Sequence, residues 1–180
     1  FHGTSIREIA EGVGIRKSSI YNHFQGKQNI LEGLFTELGP GTIKQELTSD
    51  KLKSKLGQPY QFLKTFAELA LKIMKNPKEQ KIIQIIFREH SNQVVRRKAR
   101  DKFLEEDRKI LADYFQEMME RGLIKEYDPL FLANEFIGPL AYIRIQYLVL
   151  ALEDEDTEEI HKFLEQHVEF FWEAIKKNKN

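Results

Sequence analysis

At 180 residues, 41% of them hydrophobic and 13 of them phenylalanine, the chain is long enough to bury a substantial core as one large domain or two small ones. The lack of cysteine excludes disulfides, thiolate metal sites and cysteine nucleophiles, and fits a cytoplasmic setting. Basic and acidic residues balance at 28 each, which argues against indiscriminate coating of nucleic acid but allows a local cationic face. No run of about 18 uncharged apolar residues occurs, so no membrane span is expected.

Phe1-His2-Gly3 reads as the tail of a helix and its glycine stop, so a longer natural N-terminus is expected. Ser5 with Glu8 three residues on is a capping box, and Ile6, Ile9, Ala10 and Val13 follow at helical spacing as an inward face. Gly14 supplies the positive φ of a tight turn. A second helix over Arg16–His23 buries Ile20, with Phe24 beside it, and points Ser18, Ser19, Tyr21 and Asn22 outward, with Lys17 at its start. Two short helices across a glycine turn make a helix-turn-helix pattern. Arg16, Lys17, His23 and Lys27 share the second half of this stretch with no acid. Hydroxyl and amide groups suit base edges, and cations suit phosphate or guanine. Such a pair is also common in all-α domains that never meet DNA.

A third helix starts near Lys27 with Ile30, Leu31, Leu34, Phe35 and Leu38, and Gly39-Pro40-Gly41 should kink or break it. Thr42–Leu56 reads as a short helix and a loop, a solvated surface segment. Pro59 opens a helix striped by Phe62, Leu63, Phe66, Leu69, Ala70, Ile73 and Met74, which Asn76-Pro77 ends. Lys78–His90, dense in isoleucine, fits a buried helix better than a strand by its length and charged flanks. Val94–Met119 has the period of one long amphipathic helix, with Gly122 as its cap. Its basic start (Arg96, Arg97, Lys98, Arg100, Lys102) is tempered by neighbouring acids and reads as a salt-bridged face.

Asp128-Pro129 caps a helix over Leu130–Leu152 that is apolar nearly all round, with Gly138-Pro139 expected to bend it. Glu135, Arg144 and Gln146 speak against its spanning a membrane. A last helix, capped by Asp156 or Thr157, presents Ile160, Phe163, Leu164, Val168, Phe171, Trp172 and Ile175. Two closing helices this apolar exceed what one monomer of this size easily buries, so both should pair with their copies in a second chain.

No phosphate-binding glycine loop, Gly-x-Ser-x-Gly elbow or His-Glu-x-x-His motif occurs, so neither an enzyme nor a cofactor is expected. Glu158 and His161 have metal-ligand spacing, but a surface ion pair is the ordinary meaning of such a pair. The body aromatics include Tyr60, Tyr114, Tyr142, Tyr147, Phe87, Phe115 and Phe136, near Leu140, with Arg88, His90 and Arg144 offered to an anionic group. They make a candidate site for a small hydrophobic effector, each residue being equally at home in a core.

The stretch TSIREIAEGVGIRKSSIYNHFQGKQNIL resembles the DNA-binding segment of the tetracycline-repressor (TetR) family. The residues that carry the likeness are Ser5, Ile9-Ala10, Gly14-Ile15, Tyr21-Asn22-His23-Phe24 and Lys27. The resemblance covers about the first 35 residues in detail; beyond them only the number and layout of helices match. It implies an all-α fold with a DNA-binding head and the start of a connector over residues 1–40, and an effector-binding and dimerisation body over residues 41–180. It implies one more helix before Phe1, packed across the helix-turn-helix. It implies Arg7, Lys17, Ser18, Ser19 and Asn22 toward bases, and Ser5, Tyr21, His23 and Lys27 toward phosphates. Arg16 replaces the family's usual small polar cap and adds a phosphate contact. The whole would be a homodimeric regulator, a repressor more than an activator, on a palindromic operator, released by a small hydrophobic effector: a fatty-acyl or aromatic compound. The competing reading is an all-α small-molecule-binding or protein-interaction dimer that does not read DNA.

Overall fold

The computed structural model describes residues 3–37, 41–153 and 156–177, with side chains at 3–35, 44–101, 105–153 and 156–177. The head comprises α1 (Ile6–Gly12) and α2 (Lys17–Tyr21), followed by the connector α3 (Lys27–Glu37). The body comprises α4 (Gly41–Leu47), α5 (Asp50–Lys53), α6 (Pro59–Met74), α7 (Pro77–Arg88), α8 (Gln93–Ala99), α9 (Asp107–Glu120), α10 (Pro129–Leu152) and α11 (Glu158–Ile175). No strand occurs among the described residues; a lone bridge, Ile124 to Lys176, ties the turn after α9 to the end of α11.

Local signals placed most boundaries. Pro59, Pro77 and Pro129 open their helices, and the side chains of Asn76 and Asp128 accept first-turn amides. Asp156 accepts from the Glu158 amide at 2.9 Å, while Thr157 makes no side-chain cap bond. Gly14 and Gly122 both adopt φ +70°, a conformation costly for residues with a Cβ.

Three expectations change, and others fall outside the described residues. Thr42–Leu56 is two short helices, α4 and α5, because Ser49 caps a second one through the Leu52 amide. The long helix over Val94–Met119 is not a single α-helix: Arg100–Glu106 is a π-helical turn between α8 and α9. Val13 is 63% exposed rather than inward, since it lies past the end of α1. The predicted break falls on 38–40, the N-terminal stop on Phe1 and His2, and Phe103 and Leu104 of the amphipathic stripe on 102–104, all outside what is described.

Two hydrophobic cores result. The main one joins Phe62 and Phe66 of α6, Leu111 and Phe115 of α9, Phe136 and Ile143 of α10 and Phe171 of α11. Ring pairs Phe66–Phe136 at 5.5 Å and Phe136–Phe171 at 4.9 Å lock α10 between its neighbours. The smaller core packs Leu31 and Phe35 of α3 against Ile82 of α7 and Val95 of α8. Each fully buried side chain of this size contributes about 1.5–3 kcal/mol, so the connector is anchored firmly to α7 and α8. Among the described residues, α10 is the one helix long and apolar enough by composition to cross a membrane, though Glu135 and Arg144 interrupt it. Its Phe136 and Ile143 are nevertheless sealed in the main core, as in a core helix.

Candidate nucleic-acid interface and body cavity

The head is built to present α2. Ala10 of α1 and Ile20 of α2 are both buried, and the small Ala10 lets the helices close on one another. The Phe24 ring fills the space beside Gly33, where a Cβ would stand 3.1 Å from its edge, and so ties the end of the head to α3. With Ile20 turned inward, Arg16, Lys17, Ser18, Tyr21, Asn22 and His23 are exposed and Ser19 is half-buried. The helix is shorter than predicted. Arg16 is its N-cap and makes no side-chain cap bond, as the missing small polar cap foretold.

Several of these groups are held. The Lys17 ammonium lies 5.6 Å from the centre of the Tyr21 ring, a cation–π placement that links the first and last residues of α2 along one side of the exposed face. Ser5 is locked in the predicted capping box: its Oγ accepts from the Glu8 amide at 3.2 Å and its own amide donates to Glu8 Oε2 at 2.6 Å. The Ser5 amide first, and its hydroxyl second, hold the Glu8 carboxyl below its ordinary range. Arg7 pairs with Glu11 at 2.8 Å, so its reach toward a base competes with a neighbour on its own helix. Lys27 donates to the Thr4 carbonyl, stitching the start of α3 to the residue before the Ser5 cap. The result is one polar, acid-free face a single helix wide, flanked by cations, of the kind that enters a major groove.

The predicted effector residues do not all converge. Phe87 and His90 sit exposed at the end of α7, because that helix turns Ile82, Ile85 and Ile86 toward the connector instead. Tyr114, Phe115 and Phe136 are core: Tyr114 Oη donates to the Leu47 carbonyl at 2.7 Å, and its ring meets Phe62 edge-on. Arg88 is exposed. Leu140 and Arg144 do line a cavity of about 90 Å³ between α4, α6, α9 and α10, with Phe66, Ile73, Met74 and Asp107. His161, half of the metal-spaced pair, instead accepts from the Lys75 ammonium at 3.1 Å.

Sequence reasoning missed the partners of Arg144. Its Nη2 donates to Glu79 Oε2 at 3.2 Å, with the Glu79 side chain 3% exposed and that of Arg144 18%. Burial pushes the Glu79 carboxyl up despite Arg144, and burial lowers Arg144 despite the carboxylates of Glu79 and Asp107. Both directions say that desolvation outweighs attraction in this pair. A signal was available: Glu79 stands in register with Ile82 and Ile86, an acid at the head of an apolar stripe.

Outside both cores, α10 and α11 carry an exposed apolar surface. Tyr142, Ile145, Val149 and Leu152 recur at helical spacing along α10, and Phe163 and Phe170 stand two turns apart on α11, Phe170 being 76% exposed.

Residues 1–34 match a family described as bacterial regulatory proteins, tetR family. Two solved structures are similar along nearly the whole chain. A protein described as a TetR-family transcriptional regulator from Mesorhizobium loti MAFF303099 is 23% identical, with a TM-score of 0.70 over 98% of this chain and 89% of that one. The flavonoid-responsive regulator FrrA is 25% identical, with a TM-score of 0.69 over 99% and 90%. No curated protein matches the chain.

Proposed function

We propose that the chain is a DNA-binding transcriptional regulator of the TetR kind, not an enzyme, and that it acts as a cytoplasmic homodimeric repressor released by a small hydrophobic compound; the match of its first 34 residues and the two similar solved structures support this. The observation that carries this reading is the exposed face of α2, polar and free of acid, held outward by buried Ile20. On and around it, Arg7 of α1 and Lys17, Ser18, Ser19 and Asn22 address bases, while Ser5 before α1, Arg16, Tyr21, His23 and Lys27 of α3 hold phosphates. Residues 1–40 form the head and the start of the connector, and residues 41–180 the body.

Two heads are needed for a palindromic operator, and the apolar stripes of α10 and α11 supply the means. An exposed apolar surface of this extent marks an interface. Two adjacent striped helices meeting their copies across a twofold axis close a four-helix bundle. The symmetric pair sets two α2 helices in successive major grooves, about 34–36 Å apart.

The effector enters the body at the cavity that Leu140 and Arg144 line. At about 90 Å³ it is smaller than the roughly 300–1,000 Å³ of pockets that hold drug-sized ligands. Occupancy therefore requires the surrounding helices to part, and a compound that favours the parted form shifts the heads away from groove spacing. The similar regulator FrrA is named as flavonoid-responsive, which favours a flat, largely apolar compound here too. The test is fluorescence anisotropy on duplexes from upstream of the gene across a salt series, with light scattering for mass. Specific, salt-steep binding by a dimer is expected. A monodisperse monomer, or affinity no greater than for an unrelated duplex, sinks the reading.

A further inference from the structure

One guanidinium stands between the two cores. Among the described side chains, the connector α3 is held by Leu31 and Phe35 to α7 and α8, in a cluster separate from the main core. Helix α7 is tied back to α10 in its first turn, where Glu79 meets Arg144. Helix α8 runs through the π turn into Asp107, whose carboxylate also acts on Arg144. The same Arg144 walls the apolar cavity on one side and, on the other, a small hollow bordered by Gln80 and Ile83 of α7. Whatever enters the cavity meets the cation that holds the connector's supports.

Three features decide what would enter. Apart from Arg144 and Asp107 the cavity lining is hydrocarbon (Phe66, Ile73, Met74, Leu140 among others), so the bulk of a ligand must be apolar. Arg144 offers it a planar fork of N–H donors, the geometry that a carboxylate accepts best. Its present bond to Glu79, at 3.2 Å, is longer than the about 2.7–2.9 Å of a well-made charge-assisted bond. A better-placed anion can therefore displace it.

Resting on the effector reading above, we propose that the cavity takes an apolar compound ending in a carboxylate or similar anionic group, and that this group takes Arg144 over from Glu79, releasing α7 and the connector it carries. A buried carboxylate stripped of its cation cannot remain ionised in an apolar wall: it either takes up a proton in place or is carried to water, and the release proposed here is the second course, with α7 swinging Glu79 outward. Ile82 moves with α7, and α3 loses one of its two supports. A neutral compound would leave the ion pair standing. A cationic one would settle on Asp107 without drawing Arg144 away.

The test is calorimetric titration of the full chain with octanoate, 1-octanol and octylammonium, and with phenylacetate and 2-phenylethanol as a shorter aromatic pair. Amide hydrogen exchange over residues 27–37 and 77–88 is followed in parallel. Each acid should bind at least tenfold tighter than its alcohol, and exchange in both segments should rise at saturation. Glu79→Gln, which removes the competing charge, should tighten octanoate several-fold. Arg144→Met should abolish the preference for acid. If that variant does not fold, the double variant Glu79→Gln/Arg144→Met strands no charge and should bind acid and alcohol alike. Equal binding of acid and alcohol by the unaltered chain, or preference for octylammonium, overturns the exchange while leaving the cavity reading intact. Acid binding without a rise in exchange over 77–88 overturns the release step. Failure of every probe to bind overturns the cavity reading, and this proposal with it.

Discussion

Ser5 closes the first turn of the head from both sides, accepting from Glu8 and donating to it. A seven-residue helix is too short to persist on propensity alone, so these two bonds weigh more here than in a long helix. Ser5→Ala should cost about 1 kcal/mol, read as a lower urea midpoint, with DNA affinity falling alongside. At the other end of the molecule, His167 stacks on Phe136 at 5.2 Å and lies 2.9 Å from its carbonyl through Nε2, which therefore carries the hydrogen. Burial lowers its pKa from the ordinary value, partly offset by that bond. The unfolded chain thus takes up the proton first. Stability is untouched above the unfolded value of about 6.5, falls as pH drops through it, and levels off below the folded value. His167→Gln, which keeps an N–H donor, should flatten that loss in melts taken between about pH 7.5 and 5. Residues whose work is local, such as Ser5, Gly14 and Asp128, were legible in the sequence. The pairing of Glu79 with Arg144 spans 65 positions: the local pattern marks Glu79 as an acid on an apolar stripe but does not name its partner.

At the scale of elements, α2 is a short polar rod whose value lies in its mounting: Ile20 beneath it, Phe24 beside Gly33, and Lys27 bound to the Thr4 carbonyl. Direct base readers and phosphate clamps should separate in binding assays. Asn22→Ala should change the preferred base at one or two positions while preserving the salt dependence. Lys27→Ala should weaken all duplexes alike and reduce the salt slope by about one. Anisotropy on a set of singly substituted operators distinguishes the two outcomes. Helix order, the proline-led starts and the glycine turns were readable because each follows from backbone chemistry at one or two residues. The π turn was not. Apolar residues recur every three or four positions on either side of it, so the phase slip at Arg100–Glu106 passes for ordinary scatter within one long amphipathic pattern across Val94–Met119. Val13 misled for a related reason: it keeps helical spacing but lies one residue past the helix that would have turned it inward.

For the whole molecule, the two apolar stripes predict its assembly. Phe170→Glu combined with Val149→Glu places like charges against their own copies across a twofold axis, where repulsion and desolvation both oppose association. The variant should remain folded, since both side chains lie outside the cores, yet run as a monomer by light scattering with operator affinity at least about a hundredfold weaker. The sequence announced this surface as apolar excess but not its geometry; only the placement of Phe136 and Ile143 in the core shows which side of α10 is left over.

The widened turn at Arg100–Glu106 takes in one more residue than an α-helical turn would, and it lies between Val95, which grips the connector, and Leu111, which sits in the main core. Helices on either side of such a surplus are out of phase by about 100°, the rotation one residue contributes. Deleting a single amino acid there would regularise the winding and turn Val95 away from Phe35, unseating α3 with no change to either core's composition. In this protein the angular setting of the head is encoded by arithmetic in the middle of the chain, far from any residue that meets DNA.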